Sequence, residues 1–270
     1  MSVEGNLEYS GIYQAFSETE YGQLMSQEVR YAKYMPEGCS NEEWRELLGA
    51  DVNQLQHLHL TYGLTKAFIN RMDALCPGEL SDEDKTKLKD GAISHDMAES
   101  VVTDISYGDK TADDEAREVA VFEESLNSFL HGSSDNIIER IKRAKDEVVF
   151  NQEDKDARLS KMFNAIERVG YLRTALRAHE NAKTELRPDY EESFEWIVAD
   201  VFGNHIEKLL GYAREYPPVW EYLHNMQDQI TEAFTSLDSA VFDRYAPDVQ
   251  EKERAEFCEA WLAWTNYLEN

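Results

Sequence analysis

Apolar residues recur through most of the chain at intervals of three and four, the spacing that gathers side chains on one face of an α-helix. Strict two-residue alternation is rare, and prolines, which interrupt helices, number only 6. The pattern predicts helices over 52–75, 81–102, 113–131, 135–149, 155–185, 189–215, 218–244 and 248–268. Breakers separate them at Cys76-Pro77-Gly78, the polar stretch 103–112, Gly132-Ser133-Ser134, Pro188, Pro217-Pro218 and Pro247. Ser40 with Glu43, and Ser81 with Asp84, have the spacing of a capping box, in which each residue satisfies the other's free backbone N–H. Residues 1–50 read as an irregular lead with short helices, and neither an internal repeat nor a low-complexity tract is present. The expected fold class is all-α: a lead at 1–50, a helical core at 51–187 and, after Pro188, a C-terminal helical extension at 188–270 packed on that core.

Charge narrows the partners. A net charge of −27 opposes a long nucleic acid, whose binding needs basic surface, and an anionic membrane face. A small anion remains compatible where a metal ion or a local basic group reverses the field. No apolar run approaches the roughly 20 residues of a membrane helix. The opening MSVEGNLEYSG lacks the basic and apolar regions of a secretory signal, so a cytoplasmic location is expected. Cys39, Cys76 and Cys258 form neither a metal spacing nor an even disulfide set, which fits a reducing compartment. Trp196, Trp220, Trp261 and Trp264 read as anchors of helix packing. Arg140, Lys142, Arg143 and Lys145 read as a solvated face paired with Glu139 and Glu147, and His131 as a helix C-terminal cation. His179, His205 and His224 show no ligand spacing.

Candidate chemistry concentrates in Ser94 to Lys110, SHDMAESVVTDISYGDK. Imidazole nitrogen beside carboxylate oxygen suits divalent ions of the Mn-to-Zn series. Glu99, four residues after His95, shares its face if the helix continues. A lone His-Asp dipeptide occurs by chance, and the surroundings carry more. HDMAE, then VVTDI, a polar loop and the acidic DDEAREVAVFEE resemble the HD-domain phosphohydrolases, closest to their 5'-deoxynucleotidase branch, with its HDxxE-x4-D pattern. The resemblance covers about residues 50 to 185. It implies an HD-domain core within the all-α fold and a divalent ion (Mn, Co, Ni, Fe or Mg) bound by His95 and Asp96. It also implies proton transfer or water activation by Glu99 and Asp104.

The family draws another histidine ligand from a preceding helix, and here both His57 and His59 are available. Positions 4, 7 and 11 after a buried histidine also face the core. From His57 these are Thr61, Leu64 and Phe68; from His59 they are Gly63, Lys66 and Asn70, which would bury a lysine, so His57 is preferred. The family's last ligand is an aspartate in an L-x-K-x-x-D stretch. Here Leu159 and Lys161 match, and Asn164 holds the aspartate position. An uncharged amide leaves three outcomes open: a weaker site with altered metal preference, Glu167 one turn on as substitute, or loss of metal and activity. Lys110 is a candidate phosphate contact. The expected function is metal-dependent hydrolysis of a small nucleotide, a deoxynucleoside 5'-monophosphate first. The alternatives are a degenerate HD-like protein that binds a nucleotide or partner protein without catalysis, and an HD hydrolase of nucleoside triphosphates or cyclic nucleotides. The acidic C-terminal third is free to cap a pocket, form a homodimer or bind a partner.

Overall fold

The structure is a computed structural model that describes residues 9–48, 53–100, 111–130, 135–150, 158–185 and 187–269. The fold is all-α. In chain order the helices are α1 (Tyr9–Ser17), α2 (Glu20–Gln27), α3 (Asn41–Leu48), α4 (Gln54–Leu75), α5 (Asp82–Ser94) and α6 (Ala112–Phe129). Then follow α7 (Asp135–Ala144), α8 (Arg158–Thr184), α9 (Pro188–Glu215), α10 (Pro217–Asn225), α11 (Gln227–Ser236) and α12 (Gln250–Glu269). Short 3-10 turns lie at Ala32–Tyr34, Met97–Ser100 and Ser239–Arg244, and a π-turn at Lys145–Phe150. Among the described residues, extended backbone pairs only in an isolated antiparallel bridge between Val29 and Asn53. No described helix is long and apolar enough to cross a membrane.

The chain forms two compact units. The first comprises 1–30, 50–66 and 80–163; the second comprises 31–49, 67–79 and 164–270. In the first, Ile12, Phe16, Met25, Leu55, Leu58, Ile93, Met97, Phe122, Leu126 and Ile141 form one buried cluster. The α5 helix starts with the capping box foreseen at Ser81 and Asp84, both halves of which are made. Gly91 lets α5 approach the π-turn, because a Cβ there would meet Val148 Cγ1 at 2.8 Å. Burial pushes the Asp90 carboxyl up against the pull of Arg140, whose Nε donates to it at 2.7 Å and ties α7 to α5.

In the second unit α9 is the axis. Phe194, Ile197, Val198, Phe202, Ile206 and Leu209 are buried along it, at the three- and four-residue spacing that gathers apolar side chains on one broad face. Trp44 stacks on Phe194 with ring centroids 5.9 Å apart. Buried Trp264 packs on Tyr267 and donates through Nε1 to Thr231 Oγ1 at 3.0 Å. The turn after α4 reverses at Gly78, where φ is +84°, a value glycine adopts without strain.

Four expectations need correction. The helix foreseen to 102 ends at Ser94, and the chain continues as a 3-10 turn, for reasons given with the site. The helix foreseen over 135–149 widens into a π-turn at Lys145, which fits a sequence whose apolar stripe includes a lysine. The helix foreseen over 218–244 is three pieces: it breaks at Met226 (φ −101°, ψ 6°) and at Asp238, whose carboxylate caps Ala240 N at 2.9 Å. Finally, Trp220 is no core anchor; it is 47 % exposed and stacks on His224.

His205 gives the second unit a pH signature. Burial first, then the charges of Arg168 and Lys208, hold its pKa down to about 3 from an ordinary 6.5. Arg168 Nη1 donates to His205 Nδ1, a bond that requires neutral imidazole because a guanidinium has no acceptor. Between pH 6.5 and about 3 the unfolded chain therefore takes up a proton that the folded chain refuses, and stability falls as the pH is lowered. In His205→Gln the loss of unfolding free energy between pH 6.5 and 4.5 should shrink by about 2 kcal/mol, read from urea unfolding curves. Parallel pH profiles for the two proteins would contradict this.

Candidate metal centre

Three segments of the first unit build the site. Asn53 caps α4: its Oδ1 accepts from Gln56 N at 2.7 Å and its carbonyl from His57 N at 3.0 Å. The same residue pairs with Val29 in the isolated bridge, so the chain just after it, Arg30, is held beside the start of α4. Arg30 Nη1 donates to Gln54 Oε1 at 2.8 Å and lies 3.5 Å from Asp96 Oδ2.

One turn into α4, His57 is buried with Thr61 and Phe68, whereas His59, Gly63, Lys66 and Asn70 are exposed. The helix phase therefore turns His57 inward and leaves the His59 ring against Tyr13 at its other side. His57 Nε2 is 3.4 Å from Thr61 Oγ1 and 3.5 Å from Asp96 Oδ2.

The third segment is the end of α5. His95 is 3 % exposed, and its Nδ1 lies 2.9 Å from the carbonyl of Ala92. A carbonyl only accepts, so Nδ1 carries a proton, and Nε2 faces the other way. That Nε2 lies 3.1 Å from the same Asp96 Oδ2. The two imidazoles stand edge to face with centroids 5.1 Å apart, and the His95 ring meets Phe163, in the first turns of α8, at 5.4 Å.

Desolvation would raise the Asp96 carboxyl, but His95 first, then His57 and Arg30, outweigh it and hold the group well below the usual carboxylate range. Two imidazole nitrogens thus converge on an ionised carboxylate oxygen in a largely buried place. That donor set fits a divalent ion of the borderline class, and a ligand histidine whose other nitrogen donates to a backbone carbonyl is the usual orienting arrangement.

Lys145 explains why the helix stops there. Its side chain is fully buried, with Nζ 3.1 Å from the carbonyl of His95, 3.4 Å from that of Ser94 and 4.2 Å above the Phe122 ring. The ammonium takes carbonyls that would otherwise accept from a further helical turn, so α5 ends and His95-Asp96 emerge at its C-terminal edge. Of the basic run, only Arg143 keeps an expected partner, and Lys145 is not on a solvated face at all. Arg140 pairs with Asp90, Lys142 with Glu123 and Arg143 with Glu147.

Of the other expected site residues, Glu99 belongs to the 3-10 turn Met97–Ser100, so the single-helix relation to His95 is lost; its side chain lies outside the described residues, as do Asp104, Lys110 and His131. Asn164 follows Phe163 directly on α8 and is half-buried, as is Glu167 one turn beyond Phe163. Sequence reasoning missed Arg30, which nothing in the local pattern marks, being 66 residues from Asp96. It also missed Lys145, although a signal existed: Lys145 lies four residues after Ile141 and three before Val148, on the apolar stripe of its helix.

The second unit holds a separate His/Glu cluster able to hold a metal ion. His179, Glu180 and Glu232 each offer one donor atom, all within 4.8 Å of one another. It brings to one place a histidine that has no ligand spacing in sequence. No protein-family model, no curated protein and no solved structure matches the chain.

Replacing Lys145 with methionine keeps the length and removes the donor. Lys145→Met should destabilise the protein by about 2 kcal/mol, because buried carbonyls lose their partner. An unchanged urea midpoint in that variant would show that the ammonium does not hold the end of α5.

Proposed function

We propose that the protein is a metal-dependent phosphohydrolase of the HD type, acting on small nucleotides, with deoxynucleoside 5'-monophosphates first among them. The observation that carries this reading is the convergence of His57, His95 and Asp96, from two helices distant in sequence, with their donor atoms 3.1 to 3.5 Å apart around one carboxylate oxygen. These residues would hold the ion, and Asn164 stands where the resemblance expects a further ligand. A bound divalent ion supplies positive charge to a phosphoryl oxygen and makes water more acidic.

The chain's own groups do the remainder. The Nδ1–H of His95 on the Ala92 carbonyl fixes the ring so that Nε2 stays turned to the site. The Arg30 guanidinium, 3.5 Å from Asp96, can offer paired N–H donors to a phosphate and neutralise it in a chain of net charge −27. Glu99 and Asp104 are assigned the orientation of water and the proton to the leaving oxygen. Phosphoryl transfer needs chiefly positioning and charge neutralisation, so this small set suffices.

A second reading, a binder without catalysis, is favoured by one residue: Asn164 in place of the expected aspartate. The test is phosphate release from deoxynucleoside 5'-monophosphates with Mn, Co, Ni and Mg. The wild type should turn over, His95→Ala should not, and Asn164→Asp should be about tenfold more active through tighter metal binding. Turnover unaffected by His95→Ala removes the proposal. Nucleotide binding without turnover in both wild type and Asn164→Asp establishes the second reading.

A further inference from the structure

The cluster on α8 and α11 has features of a site in its own right. His179 is only 6 % exposed, and its Nε2 is buried without a hydrogen-bond partner, an unusual state for a polar atom in a folded chain. Beside it, Glu180 from the same helix and Glu232 from α11 present carboxylate oxygens within 4.8 Å of one of its ring nitrogens and of each other. Both carboxylates already hold a cation: Lys183 Nζ lies 2.9 Å from Glu180 Oε1 and 3.0 Å from Glu232 Oε1. The place is therefore built for positive charge, yet the ammonium satisfies the carboxylates and the imidazole Nε2 is left without a partner.

We propose that His179, Glu180 and Glu232 form a second metal site, selective for zinc or a similar borderline divalent cation, which Lys183 vacates when the ion binds. The donor chemistry sets the class. One imidazole nitrogen with carboxylate oxygens favours zinc over magnesium, which prefers oxygen ligands and keeps its waters. Burial, followed by the Lys183 charge, lowers the His179 pKa, so at neutral pH the ring is uncharged and its lone pair is available to a metal. Occupation would link α8 to α11 directly, in place of the lysine bridge that joins them now. The site lies wholly in the second unit and does not rest on the phosphohydrolase reading.

The test is calorimetric titration of the full chain with zinc alone, repeated with magnesium. Wild type should bind one zinc equivalent that Glu232→Gln and His179→Gln each lose and that His95→Ala keeps. Lys183→Met should bind that equivalent about tenfold more tightly, since two exposed charge pairs no longer compete for the carboxylates. Glu232 is a surface residue, so its variant gives an answer even where the buried His179→Gln fails to fold. The same zinc stoichiometry in Glu232→Gln as in wild type would overturn the proposal. So would an affinity unchanged by Lys183→Met, or magnesium taken up as well as zinc.

Discussion

A carboxylate withdrawn from water must find positive charge or donors close by. Asp96, with a side chain only 14 % exposed, finds three in Arg30, His57 and His95. That demand dictates much of the first unit. It requires α4 to start where it does, so that its first turn presents His57. It requires the strand-like bridge at Val29 to hold Arg30 alongside. It requires α5 to stop after Ser94 so that Asp96 can turn back to the imidazoles. The Asn53 cap, the Val29–Asn53 bridge and the Lys145 ammonium each secure one of these.

The irregular geometry lies where the chemistry would be. Regular helix would carry His95 and Asp96 along a rod, with their side chains about 100° apart around it. Ending the helix at Ser94, just before them, relaxes that limit and lets both address one point. The π-turn supplies the means, because it brings Lys145 inward against Phe122 and beneath the last carbonyls of α5. Gly91 is part of the same device, since any side chain there would push α5 off Val148. A cation placed at a helix C-terminus is favoured by the helix dipole as well as by hydrogen bonding.

Some polar groups of the second unit are paired in the same way. Asp200 accepts from Tyr34 and from Lys33, and neutral His205 accepts from Arg168. His179 Nε2 has no such partner, nor do Tyr190 Oη and Trp196 Nε1. In a chain whose 54 acidic residues outnumber its 27 lysines and arginines two to one, the buried cations mark places where the protein concentrates positive charge.

Much of this was legible in the amino-acid order. Apolar spacing determined an all-α fold, and Pro and Gly marked most helix ends, because those limits are set by backbone sterics within a few residues. Helix phase alone chose His57 over His59 as the inward-facing histidine. The HDMAE segment marked where a candidate site would be. Tertiary structure decided what local rules cannot: that α5 stops at Ser94, that Lys145 is buried, that Arg30 reaches Asp96 and that His179 meets Glu232. Each of these depends on charges and carbonyls brought together from segments far apart in the chain, and a side chain's partners across such distances are settled by packing, not by its neighbours in sequence.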